Sequence, residues 1–182
     1  MKLTPLPLSN AHRIELTPHG DARGFFARAF AVEIFAEHGL PTHWPHMNLS
    51  FTVTQHSVRG LHFQRPPRAD AKIVRCLRGA IFDVIVDLRK GSPGFGQWHG
   101  EPLTAENRAA LYIPPGFAHG FQTLLPDTEI LYMHSDVYAP DLEGGVSVTD
   151  PGLGIDWPHP VQGLSDRDAT LPDLTTVEPI AL

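Results

Sequence analysis

The chain has 182 residues, 42% of them hydrophobic and 19% charged, which suits one domain with a substantial core and is too short for two ordinary ones. A formal net charge of -6 excludes general attraction to nucleic acid or anionic membranes, and a lone cysteine, Cys76, excludes an intrachain disulfide and disfavours a cysteine-based metal cluster. No stretch is long and apolar enough to span a bilayer as a helix, and Met1 to Pro7 lack the apolar run of a signal peptide, so a cytoplasmic location is expected.

Eighteen prolines and 16 glycines punctuate short runs rich in Val, Ile, Leu and Phe, the pattern of many short strands in a sandwich or barrel. An N-terminal arm of about 30 residues carries Asp21-Ala22-Arg23-Gly24-Phe25-Phe26, an arginine at a turn followed by aromatics. Ala31 to His38 has helical apolar spacing and stops at Gly39. Asn48-Leu49-Ser50 precedes the strand Val58-Arg59-Gly60-Leu61-His62-Phe63-Gln64. In that strand Arg59, Leu61 and Phe63 share one face, and Gly60, His62 and Gln64 the other. Lys72 to Leu77 and Ala80 to Leu88 read as strands joined by Arg78-Gly79, forming a hairpin. Ala109 to Ile113 is a strand stopped by Pro114-Pro115-Gly116. Strands follow at His119 to Leu124 and Thr128 to Met133. Ser165-Asp166-Arg167-Asp168 opens a capped helical turn with Ser165 as N-cap, and the tail from Leu174 to Leu182 reads as a loose end.

The polar residues inside these strands are the functional candidates. An inward His62 needs a partner for each ring nitrogen, because an unpaired buried polar group is costly. It is therefore either a structural histidine or part of a site. Taken singly, each companion has an ordinary role. Lys72 suits a solvated strand face, Tyr132 a rim, Arg23 and Arg59 surface ion pairs, Asp168 a helical turn, and His119 a core histidine bonded to a carbonyl. A metal site is not expected. Pro114-x-Gly116-x-x-His119 matches the second half of a cupin metal signature. The first half offers only His62 and then Gln64, with no nearby glutamate, and His56 has the wrong spacing.

Taken together, the motifs carry a resemblance. Asp21-x-Arg23-Gly24-x-Phe26, Asn48-x-Ser50, Arg59-Gly60-Leu61-His62-Phe63-Gln64 and Lys72-x-Val74-Arg75 are followed by Asp83-Val84-x-Val86-Asp87-Leu88-Arg89 and Phe95-Gly96-x-Trp98. Ile113-Pro114-x-Gly116-Phe117-Ala118-His119-Gly120-Phe121, Glu129-x-x-Tyr132 and Ser165-x-x-Asp168 complete the series. In this order and spacing, from about Leu3 to Pro172, the chain resembles the dTDP-4-dehydrorhamnose 3,5-epimerase family of the cupin superfamily. The resemblance implies a double-stranded β-helix jelly roll with a few short helices, one domain over 1–182, a homodimer, and a metal-free, cofactor-free site for a nucleotide-diphosphate 4-keto sugar.

It also implies roles. His62 would be the base that removes a proton beside the ketone, with Asp168 holding its other ring nitrogen. Lys72 would stabilise the enolate oxygen, oriented by Asp83, and Tyr132 would return a proton on the far face. Arg59 and Arg23 would grip the diphosphate. His119 and Asn48 would position the sugar or phosphates, with Phe26, Arg28 and His46 near the nucleoside. Arg28 stands where many members carry glutamate, and His46-Met47 where Gln-Asp is common. Met133 and Val137 replace residues that are often lysine and aromatic. These departures leave open the nucleotide and whether C3, C5 or both are epimerised, so a 3-epimerase and a non-catalytic sugar-nucleotide-binding cupin stand as alternatives.

Overall fold

A computed structural model describes all 182 residues. Thirteen strands and one short α-helix build the chain. In order they are β1 (Lys2–Pro5), β2 (His12–Glu15), β3 (His19–Asp21), β4 (Gly24–Phe26), α1 (Val32–Glu37), β5 (His46–Thr52), β6 (Val58–Gln64) and β7 (Lys72–Arg78). They continue with β8 (Ala80–Asp87), β9 (Trp98–Thr104), β10 (Ala110–Ile113), β11 (Phe117–Thr123), β12 (Thr128–His134) and β13 (Glu143–Gly145). A six-stranded sheet has the order β1-β2-β10-β7-β12-β5, and a five-stranded sheet the order β13-β6-β11-β8-β9. All pairings within them are antiparallel. This is the expected all-β jelly roll.

Alternation explains the layering. Ile81 and Ile85 of β8, Phe117 and Phe121 of β11, Val74 and Cys76 of β7, and Ile130 of β12 meet in one buried cluster between the sheets. The opposite parity of β8 and β11, Val84, Val86 and Ala118, faces outward and is covered by Val146, Val148, Val177 and Ile180. Helix α1 runs from Ala31 as N-cap to His38 as C-cap, and Gly39 follows at φ +66°, a left-handed position that suits glycine. Its Phe35 is fully buried against Ile73, Tyr112 and Met133 on the back of the larger sheet.

Three expectations differ from the structure. Arg78-Gly79 does make a turn, with Gly79 at φ +79°, but β7 and β8 do not pair. The chain steps there from the six-stranded to the five-stranded sheet. The first 15 residues are not an arm: β1 and β2 are hydrogen-bonded members of the larger sheet, and only the β3–β4 hairpin stands apart. The tail is docked. Ile180 is buried, its N–H donates to the Leu88 carbonyl, and its own carbonyl accepts from Lys90.

Candidate active site

The inner faces of the two sheets are apolar around Leu111, Ile113 and Phe117, against which Tyr132 packs, and polar around His62 and Lys72. Strand β6 builds the polar end by breaking its own alternation. His62 pairs with His119 and Arg59 with Phe121, so three steps along β6 match two along β11. The extra residue is a β-bulge at Gly60-Leu61. Gly60 has φ +124°, and a Cβ there would lie 2.6 Å from the Gly120 Cα, so only glycine fits. The bulge carries Arg59 and His62, which a regular strand would send to opposite faces, into one cleft of about 490 Å³ with Ser57, Ser165, Arg167 and Asp168.

The His62 ring is about one-third exposed (32%), and its Nε2 lies 2.7 Å from Asp168 Oδ1. The other carboxylate oxygen accepts the Gly60 N–H at 3.2 Å. Asp168 is buried and starts a 3₁₀ turn, Asp168–Thr170, and its own N–H donates to Ser165 Oγ at 3.1 Å. Ser165 is nevertheless not the N-cap the sequence suggests: that position falls to Arg167, which makes no side-chain cap, and Ser165 accepts the Asp168 N–H from two residues further back. An ionised Asp168 only accepts, so Nε2 carries the proton and Nδ1 keeps the lone pair. A carboxylate-backed imidazole with a free basic nitrogen at a cleft is equipped for proton abstraction.

On the other side of His62 lies a cavity of about 130 Å³ that also exposes His46, Asn48, Lys72 and His134. The Lys72 ammonium is 3.1 Å from Asp70 Oδ1. Asp83 therefore does not orient Lys72. It pairs instead with His119, Nε2 to Oδ1 at 2.7 Å, both residues being buried. Burial pushes the Asp83 carboxyl above the ordinary range against the pull of His119, and its Oδ2 has no partner.

Tyr132 of β12 sits beside Asn48 of β5. Its ring makes an edge contact with His119 at 5.9 Å and stacks on His134 at 6.0 Å. Burial, then the charge of Asp83, drives its phenol far above the usual tyrosine range, with Arg59 opposing. The phenol therefore holds its proton more tightly than an exposed tyrosine does.

The structure does not bring Arg23, Phe26 and Arg28 to this cleft. They belong to the β3–β4 hairpin and the segment after it. Arg23 lies on Asp21 at 2.5 Å and Arg28 on Glu33 at 3.0 Å, both exposed. Phe26 is 75% exposed. Conversely, Asp70 and His134 line the smaller cavity and Arg167 the larger cleft without having stood out in the sequence. Arg167, inside the Ser165-to-Asp168 turn, offers a second guanidinium near Arg59, tied to Glu143 at 3.0 Å. Its position between the two informative residues of that turn was the available signal. No three His, Cys, Asp or Glu side chains are grouped so as to hold a metal ion.

Residues 5–176 match the family described as dTDP-4-dehydrorhamnose 3,5-epimerase. A dTDP-4-dehydrorhamnose 3,5-epimerase of Sinorhizobium fredii is 40% identical over 175 residues, 96% of this chain and 90% of that protein. A dTDP-4-dehydrorhamnose 3-epimerase of Streptomyces niveus is 42% identical over 169 residues, 92% of this chain and 81% of that one. The crystal structure of a dTDP-6-deoxy-D-glucose-3,5-epimerase from Legionella pneumophila, in complex with dTDP-4-keto-L-rhamnose, superposes with a TM-score of 0.91 at 36% identity. It covers 97% of this chain and 94% of that one. With the site geometry and a match over nearly its full length, the chain belongs to the dTDP-4-dehydrorhamnose 3,5-epimerase family.

Proposed function

We propose that this protein is an isomerase that inverts C3 and C5 of dTDP-4-keto-6-deoxyglucose, with residues 1–182 acting as one catalytic domain. The observation that carries the reading is the His62–Asp168 pair at 2.7 Å, with His62 also lining the cavity that holds Lys72. Nδ1 of His62 removes the proton from the carbon beside the ketone, and the electron pair moves onto the C4 oxygen. Lys72 stabilises that enolate oxygen. Tyr132 then donates its phenol proton to the same carbon from the opposite face as the ketone re-forms. Imidazolium and tyrosinate return to their starting states by proton exchange with water, so the step balances without a redox cofactor.

Positioned acid–base catalysis contributes about 10²–10⁴-fold, too little for so weak a carbon acid, which is why the Lys72 charge is required. Arg59 grips the diphosphate, His119 and Asn48 position the sugar or phosphates, and His46 stands toward the nucleoside. In D₂O, wild-type protein is expected to incorporate deuterium at C3 and C5, and the His62→Ala variant to incorporate none. Absence of exchange in the wild type would end the proposal.

The finer reading is a cytoplasmic homodimer in which Arg23, Phe26 and Arg28 of one copy serve the nucleotide end of the other's cleft. Support comes from the exposed Phe25 and Phe26 and from Met47, Leu49, Phe51 and Val53, an exposed apolar row along the edge strand β5 and its end. A monomer by light scattering would refute it. A 3-epimerase is the second reading, favoured by Val137 in the cavity wall and by the Streptomyces niveus relative. Exchange at C3 with none at C5 would select it.

A further inference from the structure

Asp70 lies two residues before Lys72 and is buried. Its carboxylate spans two groups that line the cleft. Oδ1 accepts from the Lys72 ammonium at 3.1 Å, and Oδ2 accepts from His134 Nδ1 at 2.8 Å. Lys72 and His134 are direct partners across β7 and β12, and His134 is in turn the partner of His46 on β5. The three side chains form a rung over three neighbouring strands. The segment bearing Asp70 is itself pinned: Ala71 donates its N–H to Ser135 Oγ at 2.8 Å, and Ser135 donates its N–H to the Ala71 carbonyl at 3.0 Å.

We infer that Asp70 is a positioning residue of this enzyme, holding the Lys72 ammonium and the His134 ring as one preorganised unit facing the reacting sugar. The inference rests on the reading of Lys72 as the group that stabilises the enolate oxygen. A lysine stem has four rotatable carbons and a strongly hydrated head. Untied, its ammonium would sample positions away from the ketone, and misplacement by about 1 Å can lower a rate about 10²-fold. The bidentate use of Asp70 removes that freedom. It also fixes the His134 tautomer with Nδ1–H toward the carboxylate, leaving Nε2 as an acceptor.

Burial pushes the Asp70 carboxyl up, but the His134 hydrogen bond and the Lys72 charge outweigh it and hold it below the ordinary carboxylate range. It is therefore ionised at neutral pH, as the tie requires. The other ionisable groups around this cavity are His46 on β5, His62 on β6, Tyr138 and Asp136 after β12, and Glu143 on β13. None of them reaches Asp70 by a hydrogen bond.

The test compares Asp70→Asn, His134→Phe and Lys72→Met with wild type by deuterium wash-in kinetics and by the ring N–H resonances of ¹⁵N-histidine-labelled protein. Asparagine presents one acceptor, so the Lys72 and His134 ties cannot both survive. We expect D70N to lose the downfield His134 Nδ1–H resonance and to lose about 10- to 100-fold in kcat, with KM within about twofold. That loss should be smaller than for K72M. H134F severs only half of the unit and should lose about three- to tenfold in kcat. A folded D70N with wild-type kcat, or one altered only in KM, overturns the inference. Should D70N fail to fold, an unchanged kcat in H134F overturns it equally. A wild-type protein without exchange would overturn the proposed function instead, with the resonance still reporting whether the tie exists.

Discussion

Replacing Asp168 by asparagine changes one atom at the centre of the proposed mechanism. The carboxylate now serves two donors, His62 Nε2 at 2.7 Å and the Gly60 N–H at 3.2 Å. An amide has only one oxygen. If that oxygen stays on Gly60, the NH₂ faces His62 and forces Nε2 to accept, moving the ring proton to Nδ1 and abolishing the base. If it turns to His62, the tautomer survives but the imidazolium formed during catalysis loses its counter-charge. Charge centres about 4 Å apart attract by about 4 kcal/mol at an effective dielectric near 20. Solvent at the one-third-exposed ring reduces this to roughly 2–3 kcal/mol. The milder outcome is thus a fall in kcat of about 30- to 150-fold, with KM little changed. Deuterium wash-in at C3 and C5, followed by NMR on a variant whose unfolding midpoint matches wild type, measures this. A D168N enzyme within threefold of wild type would refute the dyad.

Tyr132→Phe keeps the ring contacts with His119 and His134 and removes only the donor. Inverted product should fall ~10²–10³-fold while His62-dependent exchange continues, and equal loss of both would count against the acid role. Asp87 is raised by burial, but Arg89 and Ser92 outweigh this and hold it below the ordinary carboxylate range. A folded-state value depressed in this way contributes stability that is present above the unfolded value and lost as pH falls through the folded one. Asp87→Asn should therefore destabilise at pH 7 by about 2–3 kcal/mol and flatten the acid limb of a denaturant-midpoint profile below about pH 4. In Gly120→Ala the new methyl would stand 2.6 Å from the Arg59 carbonyl oxygen and 2.9 Å from Leu61 Cδ2. It should destabilise by about 1–3 kcal/mol, and calorimetry showing an unchanged Tm would contradict the tight bulge.

Strand positions were legible because alternation and Gly-Pro punctuation are local properties. The predicted Lys72 to Leu77, Ala80 to Leu88 and Thr128 to Met133 each end within a residue of the observed strands. Pairing was not legible. Arg78-Gly79 announces a turn but cannot say which sheet receives the next strand. The same gap explains Asp83. The resemblance set it beside Lys72, yet its partner His119 comes from a neighbouring strand whose register no local pattern states. Asp70 carried no local signal, since only the folded chain brings β12 alongside it. The tail looked loose because its few apolar residues follow no strand or helix period, and the groove that takes Val177 and Ile180 is formed by distant strands. The resemblance named His62, Lys72, Tyr132 and Asp168 as the catalytic set. For Arg23, Phe26 and Arg28 it named residues that a single copy leaves on its surface.

The carboxylate of Asp168 fastens both the backbone kink of β6 and the ring that the kink aims. Aim and anchorage therefore fail together. If heating or denaturant frees residues 58–64, the base loses its direction, its tautomer and its companion guanidinium at Arg59 in one event. Activity in this protein should accordingly behave as a switch thrown by the opening of a single strand, vanishing over the same narrow interval in which the Gly60 amide begins to exchange with solvent, while the buried layers behind α1 and under the docked tail still hold.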